Sequence, residues 1–491
     1  MPDLPATLGL LRSRGGHSAR TVKEELRANL VAALRRGEKP GDLFPGLVGY
    51  EATVIPQVIN AVLAGHDILL LGLRGQAKTR LARNLVRFLD PAVPAIAGDP
   101  LRSHPFAPVG PVAEDLVRIH GDDTPLLWLK PSDRYGEKLA TPDVAVADLI
   151  GDIDPIRAHR EGYDLGDLRA VTFGIVPRTN RGVFCINELP DLAPRIQVAL
   201  FNLLEETDVQ IRGIPVRLNM DLLLVFTANP EDYTSRGRII TPLKDRIGSQ
   251  ILTHYPKHRA DGVAILRQEA HPAQAEGCAP VIAPLFDDLI EEAARAARTS
   301  EYVDQGSGVS ARLTIAAREL LQANVLARGL VNGAATPRAR LVDLPATLAA
   351  MTGKIELAYE GEQEGPTKVG WHVLGEAIKA IWAERKLPTV VTEGNDEREI
   401  GPWSELLRWF AAGNRVPLDD RMDDISHAAV LTAVPGLVAA AQKFFPKETD
   451  QVLWQEFLLE GLFQGGALAR EDSARGLCYS DLLVHMMSRK T

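Results

Sequence analysis

The sequence predicts an α/β core built on a parallel sheet, followed by a mostly helical second half. A short apolar run bounded by glycines, HDILLLGL at 66–73, leads through a glycine turn into a helical segment at Thr79–Leu89. Two more apolar runs, RGVFCI at 181–186 and DLLLVFTA at 221–228, predict buried strands that end in polar residues. After Pro256 strand signals become rare, and Ala, Leu, Arg and Glu recur with helical spacing.

The composition indicates a soluble globular protein of several domains. The chain has 491 residues, 45% hydrophobic and 24% charged, and about 150 residues per domain gives two to four domains. The net charge of −9 argues against a protein that holds nucleic acid by neutralising phosphates. Three scattered cysteines support neither a disulfide framework nor a thiolate metal site. No stretch approaches the roughly 20 apolar residues that span a bilayer, and no targeting segment is visible, so we expect a cytoplasmic protein without a membrane span.

The first 43 residues predict helices, because Thr21 and Glu24 have capping-box spacing and leucines then recur at helical intervals. Val54–Ala64 predicts the next helix. Residues 91–131 hold eight prolines, which favours a long irregular loop over a helix. VQIRGIPVRL at 209–218 alternates about a glycine and predicts a hairpin.

The second half is expected to contain two helical parts. Residues 257–356 show helical periodicity, and EGEQEGPTK at 360–368 has the composition of a linker. The rest of the chain, 369–491, is expected to be a mostly helical C-terminal domain.

The strongest local motif is Gly72-Leu-Arg-Gly75-Gln-Ala-Lys78-Thr79, between a predicted strand and helix. Glycines let backbone N–H groups converge on an anion at a helix N-terminus. The lysine reaches β and γ phosphates, and the hydroxyl ligates Mg²⁺. Ala77 stands where the pattern has a glycine, which costs little if that residue takes a negative φ. The sequence therefore predicts a phosphate-binding loop; the alternative is a chance glycine turn.

Polar residues end the two later strands, where they would lie beside the phosphates. Asn187 takes the position of the usual Walker-B Asp, which holds Mg²⁺ through water, and Glu188 follows as the base for the attacking water. An amide keeps an acceptor oxygen but loses the charge, so Mg²⁺ affinity and turnover are expected to fall. Asn229 can orient the water, although Asn229-Pro230 is also a typical turn starter.

Together these residues resemble the AAA+ ATPases, specifically the magnesium-chelatase ATPase subunit and its MoxR-type relatives, from about Phe44 to Leu320. FPGLVGY at 44–50 is similar to the family's nucleotide-base loop, and 148–180 to its helix-2 insert. The hairpin at 209–218 resembles its pre-sensor hairpin, and 257–356 its helical lid. Two departures stand out: the Pro-rich loop lacks the cysteines of chelatase subunits, and position 187 is not Asp.

The resemblance implies a site with ATP and Mg²⁺ as cofactors. Glu188, Asn229 and Arg246 are implied as catalytic, with Arg246 acting as an arginine finger in a neighbouring subunit's site. Thr79 and Asn187 are implied as Mg²⁺ ligands, the latter through water. The residues expected to contact the nucleotide are Val48, Gly49, Gly72, Gly75, Gln76, Ala77, Lys78, Thr79, Arg80 and, as sensor 2, Arg312.

The implied function is a Mg²⁺-dependent ATPase that works as a homo-oligomeric ring, expected to be a hexamer. Relatives remodel or activate a partner protein, often one with a von Willebrand factor A domain. Three alternatives remain open: a genuine magnesium-chelatase subunit, a DNA-acting motor or transcription activator, and a nucleotide-binding scaffold that hardly hydrolyses ATP. The acidic charge disfavours the DNA-acting alternative, and Asn187 favours the scaffold.

Overall fold

The computed structural model describes residues 4–15, 19–211, 217–230, 238–389, 401–473 and 476–482. The chain divides into two units, Met1–Tyr255 and Pro256–Thr491.

The first unit is organised around a five-stranded sheet in the order β11-β1-β10-β7-β4, with every neighbouring pair parallel. Three two-stranded pairs accompany it: β2-β3, β5-β6 and β8-β9. The strands of this unit are β1 Ile68–Leu71, β2 Val93–Ile96, β3 Leu126–Leu129, β4 Tyr135–Leu139, β5 Gly151–Ile153, β6 Val171–Phe173, β7 Gly182–Asn187, β8 Asp208–Gln210, β9 Arg217–Asn219, β10 Leu222–Ala228 and β11 Ser249–Leu252.

Helices cover both faces of this sheet, which confirms the predicted α/β class. In β7, Val183 and Cys185 join the apolar core on one face, and Phe184 and Ile186 join the core on the other. A strand buried on both faces needs apolar residues at every position, which explains its continuous apolar sequence. The helices are α1 Leu8–Arg14, α2 Val22–Arg35, α3 Pro40–Leu43, α4 Val54–Ala64, α5 Lys78–Asn84, α6 Gly110–His120, α7 Val146–Leu149, α8 Pro155–Glu161, α9 Ile175–Arg178, α10 Pro194–Ala199, α11 Phe201–Glu205 and α12 Thr241–Arg246.

The Pro-rich segment 91–131 is irregular only in part, at 97–109, so the expectation of a long loop without a helix is wrong. It contains the antiparallel pair β2-β3, in which Pro94 lies opposite Trp128, and the eleven-residue helix α6. Pro111 stands in the first turn of α6, where a backbone N–H has no intrahelical partner to lose. Proline at a helix start favours the helix rather than breaking it, which is why counting prolines misled the prediction.

The predicted hairpin and insert correspond to short paired strands. β8 and β9 pair antiparallel, with Val209 opposite Leu218, and residues 212–216 of the predicted hairpin lie outside the described residues. Within 148–180, β5 and β6 pair antiparallel around α8. Their identification as the pre-sensor hairpin and the helix-2 insert stays a prediction.

The second unit is largely helical, as expected, and one apolar core extends from Leu266 to Tyr479. The predicted linker at 360–368 is wrong, because α17 and α18 occupy it. Gly365, at φ +88°, and Pro366 mark only the break between these two helices. The helices are α13 Arg259–Glu269, α14 Pro284–Ala297, α15 Arg312–Asn332, α16 Leu348–Thr352, α17 Tyr359–Glu364, α18 Pro366–Glu384, α19 Ser404–Ala411, α20 Asp424–Thr432, α21 Leu437–Phe444 and α22 Gln451–Gln464.

A small antiparallel sheet, in the order β12-β14-β13, is the part of the second unit that the sequence analysis missed. It consists of β12 Val416–Asp419, β13 Leu468–Ser473 and β14 Gly476–Asp481. β13 carries three charged residues in a row, Arg470, Glu471 and Asp472, so it lacks a clean apolar alternation. Among the described helices, none alone has the length and apolar character to cross a membrane; the bent pair α20 and α21 meets the length and composition criteria only when both are taken together.

Candidate functional site

The predicted phosphate loop lies between the end of β1 and the start of α5. The backbone N–H of Gly72 donates to the Ala228 carbonyl at 3.1 Å, which ties the loop to β10. A Cβ atom on Gly72 would lie 2.0 Å from Thr253 Oγ1 and 2.2 Å from Gln76 Oε1, so no side chain fits there. Gly75 has φ +73°, a conformation that glycine adopts without strain. Close packing therefore favours glycine at position 72, and backbone conformation favours it at position 75.

Ala77 does not meet the condition under which its methyl group would cost little, which was a negative φ. Its φ is +54° and its ψ is +21°, which is the left-handed region. An L-residue with a Cβ in this region costs roughly 1–2 kcal/mol. The loop keeps the backbone turn that a glycine would give, and the strain is offset by the surrounding structure.

Lys78 is the first residue of α5, and its ammonium group is buried in the loop, with 7% of the residue exposed. Its Nζ donates to the Leu73 carbonyl at 3.0 Å, to Asn229 Oδ1 at 2.7 Å and to the Gly72 carbonyl. Backbone carbonyls and one amide thus hold a cation at the mouth of the loop, where an anionic phosphate would be attracted.

Asn229 joins this cation to a carboxylate. Its Nδ2 donates to Glu188 Oε2 at 2.7 Å, while its Oδ1 accepts from Lys78. Glu188 directly follows β7 and has φ +56°, and its backbone N–H donates to Thr227 Oγ1 at 3.1 Å. The strained backbone and the two hydrogen bonds fix the carboxylate at the carboxyl edge of the sheet.

Thr79 and Asn187 also lie together. Thr79 Oγ1 donates to Asn187 Oδ1 at 3.1 Å, and Thr227 Oγ1 approaches the same oxygen at 3.2 Å. Hydroxyl and amide oxygens are hard ligands of the kind Mg²⁺ takes, together with water. The structure thus brings five predicted side chains to one place: Lys78, Thr79, Asn187, Glu188 and Asn229.

Glu137 belongs to the same group, and sequence reasoning missed it. Its Oε1 accepts from Asn187 Nδ2 at 2.8 Å, and its Oε2 accepts from Arg83 Nε at 3.0 Å and from Tyr135 Oη at 2.9 Å. The hydrogen bond with Glu137, together with its negative charge, raises the pKa of Arg83. Burial together with the same charge raises the pKa of Cys185 to about 12. The signal was faint, since YGEKL at 135–139 has no apolar run to mark a strand.

The expected nucleotide-base loop is attached to the phosphate loop at two points. Arg80 Nη1 donates to the Gly46 carbonyl at 3.1 Å, and Tyr50 Oη lies 2.8 Å from the Gln76 carbonyl oxygen. Burial raises the pKa of Tyr50, so its hydroxyl stays protonated and able to donate. Gly49, next to Val48, has φ +80°. The side chain of Gln76 accepts from Thr253 Oγ1 at 2.7 Å, so it closes the loop rather than projecting from it.

The two predicted arginines lie on α12 and α15. Arg246 ends α12, where its Nε donates to Glu205 Oε2 at 2.8 Å and its guanidinium lies 4.9 Å from the centre of the Phe201 ring. Its described contacts are therefore with α11 and its own helix. Arg312 is the exposed first residue of α15 in the second unit. Their roles stay predictions.

The residues present fit a nucleoside triphosphate with Mg²⁺. A glycine loop at a helix N-terminus and a buried ammonium suit phosphates. A hydroxyl, an amide oxygen and two nearby carboxylates suit a hard divalent cation.

No known protein family and no curated protein matches this sequence. Among solved structures, subunits BchI and BchD of magnesium chelatase match at 19% identity over 65% of this chain and 98% of that chain, with a TM-score of 0.34. Hsp104 with ATPγS and casein matches at 14% identity over 68% and 53% of the two chains, TM-score 0.37. NtrX from Brucella abortus in complex with ATP matches at 13% identity over 63% and 50%, TM-score 0.33.

This chain thus spans about half the length of the Hsp104 and NtrX chains. The chain's own strand order defines its fold: an α/β unit with a parallel five-stranded sheet, followed by a largely helical unit.

Proposed function

We propose that this chain is an AAA+ ATPase of the magnesium-chelatase and MoxR type, which binds Mg²⁺ and ATP and hydrolyses the nucleotide. The observation that supports this most is the bridge that Asn229 makes between Lys78 and Glu188. In ATPases a lysine cradles the phosphates while another side chain orients the attacking water. A residue that joins the two lies where phosphate and water must meet.

Each side chain then has a role that its contacts support. The loop N–H groups, the N-terminus of α5 and Lys78 bind the phosphates, and Thr79 and Asn187 would hold Mg²⁺. When bound, Mg²⁺ would neutralise the charge that develops on the phosphate oxygens. Glu188 accepts the proton of the attacking water, and Asn229 orients that water.

We further propose that the chain assembles into a homo-oligomeric ring, a hexamer, in which Arg246 of one subunit completes the site of the next. Its described contacts with α11 and α12 leave it outside the group around Lys78, in keeping with such a role. ATP hydrolysis in the ring would remodel a partner protein, one with a von Willebrand factor A domain being the first to test.

A second candidate is a nucleotide-binding scaffold that hydrolyses ATP slowly. The specific observation in its favour is Asn187, whose neutral amide stands where the motif has a carboxylate. Comparing ATP affinity with the rate of phosphate release separates the two candidates, since a scaffold binds tightly and releases little.

The decisive experiment replaces the lysine of the loop. Lys78→Ala removes charge-assisted hydrogen bonds of about 1.5–3 kcal/mol each, so ATP affinity by calorimetry should fall at least about 100-fold. The matched control is Lys379→Ala, an exposed lysine of α18 that pairs with Glu376, and it should bind ATP like wild type. Near-normal affinity of Lys78→Ala would refute the phosphate-loop assignment.

A further inference from the structure

We propose that Glu137 is the positioning residue of the Mg²⁺ site: it supplies the negative charge that position 187 lacks and aims the oxygen of Asn187 at Thr79. This inference rests on the proposed function and adds to it a carboxylate from a different strand, β4. The pair Glu137 and Asn187 would together do what a single aspartate does in the usual motif.

The orientation of Asn187 follows from the chemistry of its neighbours. A carboxylate only accepts hydrogen bonds, so the amide must turn its NH₂ group toward Glu137, where the two atoms are 2.8 Å apart. The amide oxygen then necessarily faces the hydroxyls of Thr79 and Thr227, at 3.1 and 3.2 Å. Without Glu137, either end of the amide could face the hydroxyls, because a hydroxyl can both donate and accept.

Glu137 is itself held in place by groups that use its other oxygen. Oε2 receives both Arg83, at 3.0 Å, and Tyr135, at 2.9 Å, which leaves Oε1 for Asn187. In the parallel pair of β4 and β7, Glu137 is paired with Cys185 and Leu139 with Asn187. Glu137 is therefore two residues from the position opposite Asn187 and on the same face of the sheet. The carboxylate is therefore fixed by a helix, its own strand and the adjacent strand.

Helix α5 connects the contact between Thr79 and Asn187 to the contact between Arg83 and Glu137. Thr79 and Arg83 are four residues apart and so lie on one face of the helix. Thr79 meets Asn187 and Arg83 meets Glu137, while Asn187 and Glu137 bond to each other. A carboxylate that served only to pair with Arg83 would not need to contact position 187. Because of this contact, only the side chain of Asn187 separates the charge of Glu137 from the Thr79 hydroxyl.

The contact between Glu137 and Asn187 leads to a prediction for Asn187→Asp, the substitution that restores the usual motif. Asn187→Asp replaces the NH₂ donor that faces Glu137 by an acceptor oxygen, so the hydrogen bond that orients position 187 is lost and two negative charges face each other. The single substitution should therefore not strengthen Mg²⁺ binding. Glu137→Gln with Asn187→Asp exchanges amide and carboxylate, keeps the hydrogen bond and should restore Mg²⁺ binding.

The test is the affinity for a non-hydrolysable ATP analogue, measured by calorimetry with Mg²⁺ and with a chelator. In Glu137→Ala and the isosteric Glu137→Gln, the Mg²⁺-dependent gain in affinity should fall about 10-fold or more, while affinity in chelator stays within about threefold. Asn187→Asp should show a similar loss, and the exchanged double variant should return to within about threefold of wild type. Electron paramagnetic resonance of Mn²⁺ should give the same order of affinities.

Glu114→Gln is the matched control, because it makes the same carboxylate-to-amide change at an exposed position of α6 in the first unit. It should keep the Mg²⁺-dependent gain within about twofold. An unchanged gain in both Glu137 variants, or a stronger gain in Asn187→Asp alone, would overturn the inference. If wild type binds no nucleotide under either condition, the proposed function fails as well, which distinguishes the two failures.

Discussion

At the scale of single residues, two amide side chains connect the charged and polar groups of the site. Asn229 accepts from Lys78 and donates to Glu188, and Asn187 accepts from Thr79 and donates to Glu137. An amide carries both a donor and an acceptor, so it can join a donor on one side to a carboxylate on the other. An aspartate at either position would lose the donor that faces the carboxylate.

Glu188→Gln tests the role of the base without removing its contact. The glutamine keeps an oxygen that can accept from Asn229 Nδ2, so ATP affinity by calorimetry should stay close to wild type. An amide cannot take the proton of the attacking water, so phosphate release should fall by about 100-fold or more. Hydrolysis at the wild-type rate would show that Glu188 is not the base.

Ala77→Gly tests the strain in the phosphate loop. Glycine removes a left-handed penalty of roughly 1–2 kcal/mol and adds about 0.4–1 kcal/mol of unfolded-state entropy. The free energy of unfolding in urea should therefore rise by about 0.5–1 kcal/mol. The control is Ala32→Gly, at an exposed position of α2, which should lose about 0.5–1 kcal/mol. Equal losses in both variants would show that Ala77 is not strained.

At the scale of elements, apolar patterning decided which segments could be predicted. Val54–Ala64 forms the helix with the predicted bounds, because its apolar spacing ends at Gly65. The capping box of Thr21 and Glu24 is also confirmed, because it depends only on a local contact between residues at a fixed spacing. β4 was missed because it is a polar edge strand whose burial depends on partners distant in sequence.

The carboxylate of Asp221 couples α2 to the start of β10 and should make stability pH-dependent. It accepts a hydrogen bond from the Val22 N–H at 2.9 Å. Burial raises the pKa of Asp221 from 3.8 to about 6, and the charge of Glu25 adds to this increase. The hydrogen bond from Val22 and the charges of Arg181 and Arg134 act in the opposite direction and lower the pKa. A raised carboxyl pKa means that the folded state binds the proton more tightly. The tighter proton binding therefore stabilises the folded state fully below about pH 4, and this stabilisation is lost as the pH rises through 6.

Asp221→Asn removes this titration and keeps an oxygen for the Val22 N–H. The variant should gain stability relative to wild type by up to about 3 kcal/mol between pH 4 and pH 7, measured by urea unfolding. Asp123→Asn, an exposed position of the same unit, is the control and should show no such pH-dependent gain. A constant difference between Asp221→Asn and wild type across this range would contradict the prediction.

At the scale of the whole molecule, only those residues of the site that belong to a recognisable sequence motif could be predicted. Lys78, Thr79, Asn187, Glu188 and Asn229 follow recognisable strands and meet because parallel strands end at one edge of the sheet. Glu137 could not be found in this way, since its role depends on the pairing of β4 with β7. The roles of the two arginines depend on assembly and on the placement of a second unit, which local patterns do not encode.

Arg246 tests the ring directly. Arg246→Ala should bind ATP almost normally, because the arginine lies with α11 and α12, and should lose about 10³-fold or more in hydrolysis if it acts in a neighbour's site. Lys244→Ala, an exposed cation in the same helix, is the matched control and should hydrolyse ATP like wild type.

Mixing Arg246→Ala with Glu188→Gln distinguishes action between subunits from action within one. Each protein alone lacks one of the two groups, but a mixed interface joins an intact Glu188 from one chain to an intact Arg246 from the other. Turnover should therefore reappear in the mixture and peak near equal amounts of the two proteins. Recovery of no activity, although sedimentation shows that the two proteins co-assemble, would mean that Arg246 acts in its own subunit or has no part in hydrolysis.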